Sequence, residues 1–277
     1  RAQYIEGYAV FEPVATALQK HASTSEIDRA LGWLHAWMML FKLIFRQGEV
    51  ARGHHVQMQE AVARSRDPEC RAMLDFVTGM WERILGDAVK SREYERRSAA
   101  QFIALNMPWD RSHALCNLAL ASSFRLEATQ TDVAMGILAA DEALVIQESL
   151  GDLYLRGHTL EVRGHLSIMV EDYERGGREI EESVELFRKV GNRLGLASAL
   201  QELAWARAIV GRFTEARIAA EEAYVLYRET GNLASAAGVQ SLRTRIEFFA
   251  GEFLSSIDFA RDMMALAERV GISELRM

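Results

Sequence analysis

Residues 210–232 read "VGRFTEARIAAEEAYVLYRETGN", and residues 170–192 read "VEDYERGGREIEESVELFRKVGN". The two stretches share a beat of small, aromatic, acidic and apolar positions and lie 40 residues apart. Outward from them, Gly151, Gly191, Gly231 and Gly271 recur at the same interval, and Glu171, Gly211 and Gly251 fall midway between. Extended backward, the midway series reaches Thr131, Gly86, Gly48 and Gly7, with about five extra residues around "NMPWDR" at 106–111. A fixed period of this size is the signature of stacked repeats, because each unit must borrow a neighbour to bury its apolar face.

Within one period the apolar residues recur at helical spacing. Leu196, Leu200, Leu203 and Ala204 form one stripe, and Phe213, Ala216, Ala220, Ala223 and Tyr224 form a second after Gly211. Gly211 stands where a helix-terminating glycine would. The fourth unit follows with Glu171, Tyr173, Gly176, Ile180 and Ser183, and the sixth with Gly251, Phe253, Ser256, Ala260 and Met263. The expected fold is therefore all-α, a right-handed α-solenoid of six helix-turn-helix repeats. Their bounds are 29–68, 67–111, 112–151, 152–191, 192–231 and 232–271. A partial repeat at 1–28 precedes them and a tail at 272–277 follows. If Gly7 is a turn glycine, Pro13 opens the next helix at a first-turn position, and a preceding helix is missing before Arg1.

A small residue on the first helix, Gly at the turn, an aromatic two residues on and small residues along the second helix resemble the tetratricopeptide repeat (TPR). The resemblance is strongest over 152–271. The unit exceeds the usual 34 residues and lacks the closing proline. Extended repeats of this kind are similar to those of MalT-type transcription activators and of TPR regions attached to bacterial ATPases and nucleotide cyclases; "EGYAVFEPVATAL" and "LFRQGEVARG" resemble their opening repeats. The resemblance implies a sensor arm of a larger regulator, binding a protein, peptide or small effector.

Composition narrows the alternatives. The 277 residues carry a net charge of −7, and only Cys70 and Cys116 are present, as in a protein of the reducing cytoplasm. Residues 141–190 hold twelve acidic against six basic side chains, which opposes a phosphate-binding surface. "KSREYERR" at 90–97 alternates charge as a solvated helix face does. The apolar "LGWLHAWMMLFKLIF" at 31–45 contains His35 and Lys42 and is too short to span a bilayer. No nucleic acid or membrane partner is expected, no cofactor is implied, and no motif for nucleotide binding or hydrolysis is present. His54 and His55 are adjacent and would diverge on a helix. His158, Glu161 and His165 share a face, but two turns separate the histidines, about 10 Å, too far for one metal.

The inner wall of such an array is made of first helices. Once the packing stripes are set aside, the wall residues are His158, Glu161 and His165, then Gln201 and Trp205, then Arg245 and Phe248. By register, Arg125, Arg83 and Lys42 continue the wall toward the N-terminus. Met38, Met73, Phe76 and Met80 fit core as well as wall. A second function is open at this point: self-association through "WLHAWMMLFKLIF", giving a homo-oligomeric scaffold.

Overall fold

In a computed structural model the described residues are 2–44, 48–85, 87–123 and 128–269. Among them thirteen helices and no strands are found. They are α1 (Ala2–Leu18), α2 (Ser25–Ile44), α3 (Gly48–Ser65), α4 (Pro68–Leu85), α5 (Ala88–Ala104), α6 (Pro108–Ala121) and α7 (Gln130–Leu150). The rest are α8 (Leu153–Met169), α9 (Tyr173–Val190), α10 (Arg193–Ile209), α11 (Phe213–Glu229), α12 (Leu233–Ala250) and α13 (Phe253–Arg269). The chain divides into two compact units, 1–128 and 129–277, and the division falls between α6 and α7, inside the expected third repeat.

In each unit, consecutive helices pack against one another, and so do the first helices of successive pairs: α2 on α4 and α4 on α6, then α8 on α10 and α10 on α12. The glycine series marks the turns because those positions are left-handed. Gly151, Gly191 and Gly231 have φ of 67°, 69° and 72°. Each amide, with that of the next residue, returns to the last turn of the helix, as Gly231 to Arg228 and Asn232 to Tyr227 do. The next residue at once caps the following helix: Asp152, Asn192 and Asn232 accept the amides of Leu155, Gly195 and Ser235. Two residues thus end one helix and start another.

Inside the pairs, Gly211 and Gly251 are also left-handed, and so is Glu171, at φ 66°. An L side chain there is strained by about 1–2 kcal/mol, so Glu171→Gly is expected to raise stability by about 0.5–1 kcal/mol after glycine's extra unfolded-state entropy is subtracted. A shift of the urea midpoint at unchanged slope measures it; a fall in the midpoint would contradict the strain.

Small residues let paired backbones touch. In α8 and α9, a Cβ on Gly164 would lie 2.8 Å from the Gly176 carbonyl oxygen, and one on Gly176 would lie 2.8 Å from that of Gly164. At the equivalent place in the last pair, Ser256 donates to the Thr244 carbonyl at 2.9 Å. Around these contacts, Phe187, Leu200, Ala204, Ala220 and Ile246 belong to one buried cluster in the second unit.

One expectation is corrected. Gly7 is not a turn and Pro13 does not open a helix: α1 runs through both, with Pro13 inside it. A glycine costs a helix only about 1 kcal/mol and an interior proline about 3 kcal/mol. Against that, Tyr8, Phe11, Ala15 and Leu18 of α1 join Leu31 and Met38 of α2 in a single apolar cluster. The apolar stretch in α2 is mostly core as well: Ala36, Met38 and Met39 are fully buried, and Met73 and Phe76 of α4 are buried too.

Candidate recognition wall

In the second unit, α8, α10 and α12 lie side by side, and the 40-residue register brings equivalent positions into rows. One row is Glu161, Gln201 and Ser241; the next is His165, Trp205 and Arg245. Contacts follow the register or run one helical turn back from it. The Arg245 guanidinium lies 3.9 Å from the centroid of the Trp205 ring, a cation–π distance. Glu161 accepts a hydrogen bond from Ser198 Oγ at 2.5 Å, and His165 Nδ1 pairs with Glu202 Oε2 at 2.8 Å.

The electrostatics of this patch are uneven. Burial raises Glu161 to about 8, with the like charge of Glu202 adding to it and the Ser198 bond opposing it. Although part of the Glu161 side chain reaches the surface, its carboxyl is enclosed by protein. Tyr227 of α11, behind the wall, is pushed up to about 12 by burial and by Glu161. A carboxyl that stays protonated at neutral pH is here next to one that pairs with an imidazole.

Of the expected wall residues, His158, Glu161, His165, Gln201 and Trp205 are half-buried on α8 and α10, while Arg245 and Phe248 are exposed on α12. The histidines and Glu161 do not converge: Glu161 and His165 each engage α10 instead. Among the described residues no group of three or more His, Cys, Asp or Glu could hold a metal ion. In the first unit the expected residues part company. Lys42 is half-buried, with its Nζ 3.6 Å from the centre of the Tyr8 ring. Arg83 is half-buried too, and burial lowers its pKa; Glu95 of α5 is fully buried and its carboxyl is pushed well above the usual carboxylate range. Arg125 lies outside the described residues.

His54 and His55 do diverge. The first meets His35 Nδ1 at 3.2 Å and Tyr8 at 3.1 Å; the second meets Thr78 at 2.8 Å. Sequence reasoning missed Glu202 and Tyr227. A signal for Glu202 existed, since a contact between neighbouring first helices falls at 37 residues, one turn short of the repeat.

No protein-family model matches the chain, and no curated protein sequence matches it. Solved structures do. A complex of NprR with its cognate peptide NprX superposes with a TM-score of 0.72 at 10% identity, covering 97% of this chain and 75% of that one. A Rap protein complexed with Competence and Sporulation Factor gives a TM-score of 0.65 at 12% identity, over 96% and 80% of the two chains. A signal transduction ATPase with numerous domains and a tetratricopeptide repeat sensor, from Pyrococcus horikoshii, gives 0.63 at 14%, over 95% of this chain and 46% of that one. Repeat period, left-handed turns and small-residue helix contacts agree with these likenesses: the chain has the fold of the TPR-like helical solenoids.

Proposed function

We propose that the chain is a non-catalytic recognition module that holds a peptide, or an extended segment of a partner protein, against the α8–α10–α12 wall. The observation that carries this reading is the Trp205–Arg245 pair, standing in one row with His165. Trp and Arg are enriched among binding hot spots, Trp offering a large flat area and Arg a planar, directional cation. One structural neighbour is seen with its cognate peptide, another with Competence and Sporulation Factor, and a third is an ATPase with a repeat sensor. These support the finer reading of a sensor arm that biases an attached signalling ATPase by population shift.

The test is calorimetric titration of the chain with a random-peptide library in pools, followed by single binders. Trp205→Ala is expected to weaken a binder at least tenfold. Arg245→Ala, at an exposed position, should weaken it several-fold, with a fall in melting temperature no larger than loss of one cation–π contact gives. Binders indifferent to both substitutions, or none at all, would remove the wall as the site.

A further inference from the structure

A hydrogen-bonded chain in the first unit crosses three helices. The side-chain nitrogen of Gln19, in α1, lies 3.4 Å from His35 Nε2 of α2. His35 Nδ1 lies 3.2 Å from His54 Nδ1 of α3, and His54 Nε2 lies 3.1 Å from the Tyr8 hydroxyl of α1. Tyr8 in turn donates to Glu12 Oε1 at 3.1 Å. The two imidazoles meet edge to edge, with ring centres 5.4 Å apart.

The Gln19 end fixes every proton along the chain. An amide nitrogen only donates, so His35 Nε2 must accept, and the one proton of a neutral His35 is on Nδ1. That N–H points at His54 Nδ1, which accepts in turn and leaves the His54 proton on Nε2, donating to Tyr8. A further proton has two places to go, His35 Nε2 or His54 Nδ1, and each already faces a donor. At the first place the Gln19 amide, which also donates to Gln57 Oε1 at 3.4 Å, could turn round. At the second no rotation helps, because two Nδ1–H groups would oppose one another.

The surroundings add to this. His35 is buried, and its pKa falls to about 4, through burial first and then the charge of His54. His54 is lowered by burial too; Lys42 of α2 opposes a proton there, and Glu12 of α1 favours one. Tyr8 of α1 is the other titratable group in the chain, while His55 of α3 turns to Thr78, a neutral residue of α4.

We propose that this chain is an acid-sensitive latch: neutral, it holds α1 against α2 and α3, and proton uptake by the histidine pair releases the helix. Tyr8 and Gln19 are the α1 side of the latch. Release uncovers the apolar side of α2, where Leu31 and Met38 pack on α1 and Phe41 stacks on Phe11 at 5.8 Å. The latch lies in the first unit and does not rest on the α8–α10–α12 wall. Between about pH 4 and 6.5 a docked His35 binds fewer protons than a released one, so docking is strongest above 6.5 and weakens as pH falls. Through His35 alone, the opening equilibrium of α1 rises about 30-fold from pH 7.5 to pH 5.

Hydrogen–deuterium exchange of the full chain at those two pH values, corrected for the intrinsic rate at each, reads that equilibrium. Protection of the amides at 11–18 should fall about 30-fold at pH 5, while the amides of α2 keep theirs. His54→Gln, which cannot charge and still offers Tyr8 a donor, should shrink the change, and His35→Gln in addition should remove it. His55→Gln should leave it intact. Equal losses in α1 and α2 would mean that the unit opens as a whole. Equal protection of α1 at both pH values, or a change that survives the double substitution, would mean that the pair is no latch. Each of these results overturns the proposal. The comparison of α1 with α2 is made on the unsubstituted chain, so it does not depend on any variant folding.

Discussion

Glu161→Gln is expected to stabilise the second unit by about 2–4 kcal/mol at pH 9 and to change it little at pH 4. The folded carboxyl holds its proton up to about 8, whereas an unfolded one loses it near 4.5. Between those values the folded state binds more protons, so stability is full below about 4.5 and is lost as pH rises through about 8. Glutamine has the same shape, remains neutral throughout and can still accept from Ser198 Oγ. The full conversion of the shift would be larger; partial surface access of the side chain reduces it. Far-ultraviolet circular dichroism follows the unfolding of the helices. Urea titrations at pH 5, 7 and 9 should show the unsubstituted chain losing stability with pH while the variant stays nearly level. Parallel curves would mean that the carboxyl is solvated.

Two adjacent glycines should respond in opposite directions. Gly176→Val is expected to destabilise by about 3 kcal/mol. Its Cβ would meet Ile168 Cγ1 at 2.7 Å and the Gly164 carbonyl oxygen at 2.8 Å. The side chain of Ile168 could turn aside; the backbone oxygen could move only if α8 and α9 separated. Gly177→Ala should instead stabilise by up to about 1 kcal/mol, the helix preference for alanine over glycine, because the nearest atom is Arg207 Nη1 at 3.7 Å. Thermal and urea denaturation of both variants decide the matter. Equal effects at the two positions would show that helix propensity, not the contact with α8, governs this pair.

The repeat was legible because its turns require a left-handed residue, and glycine is the residue that takes that conformation without strain. The same logic found Glu171, which departs from glycine yet keeps the conformation. It failed at Gly7, where a glycine lies inside a helix whose apolar side is held by α2. The rows of equivalent residues in the second unit were legible because α8, α10 and α12 share one register. In the first unit, register placed Arg83 on the wall without revealing how far burial would desolvate its guanidinium. A small apolar hollow of the first unit, lined by Trp37, Met73, Phe76, Phe102 and Trp109, was hidden for a related reason. Met73 and Phe76 were marked as core or wall, but Trp37 and Trp109 reach the same hollow from helices 72 positions apart in the chain. No single period connects them.

The seams between repeats have a genetic corollary. Gly191 and Asn192 end one helix and begin the next with chemistry confined to a few neighbouring residues, and Gly231 and Asn232 do the same. Joining Gly191 directly to Asn232 recreates the same glycine–asparagine junction. Loss or duplication of one 40-codon block therefore leaves every remaining splice written in native sequence. The length of the array is adjustable in whole quanta, with no new turn to invent, and each row of equivalent side chains lengthens or shortens by one with it.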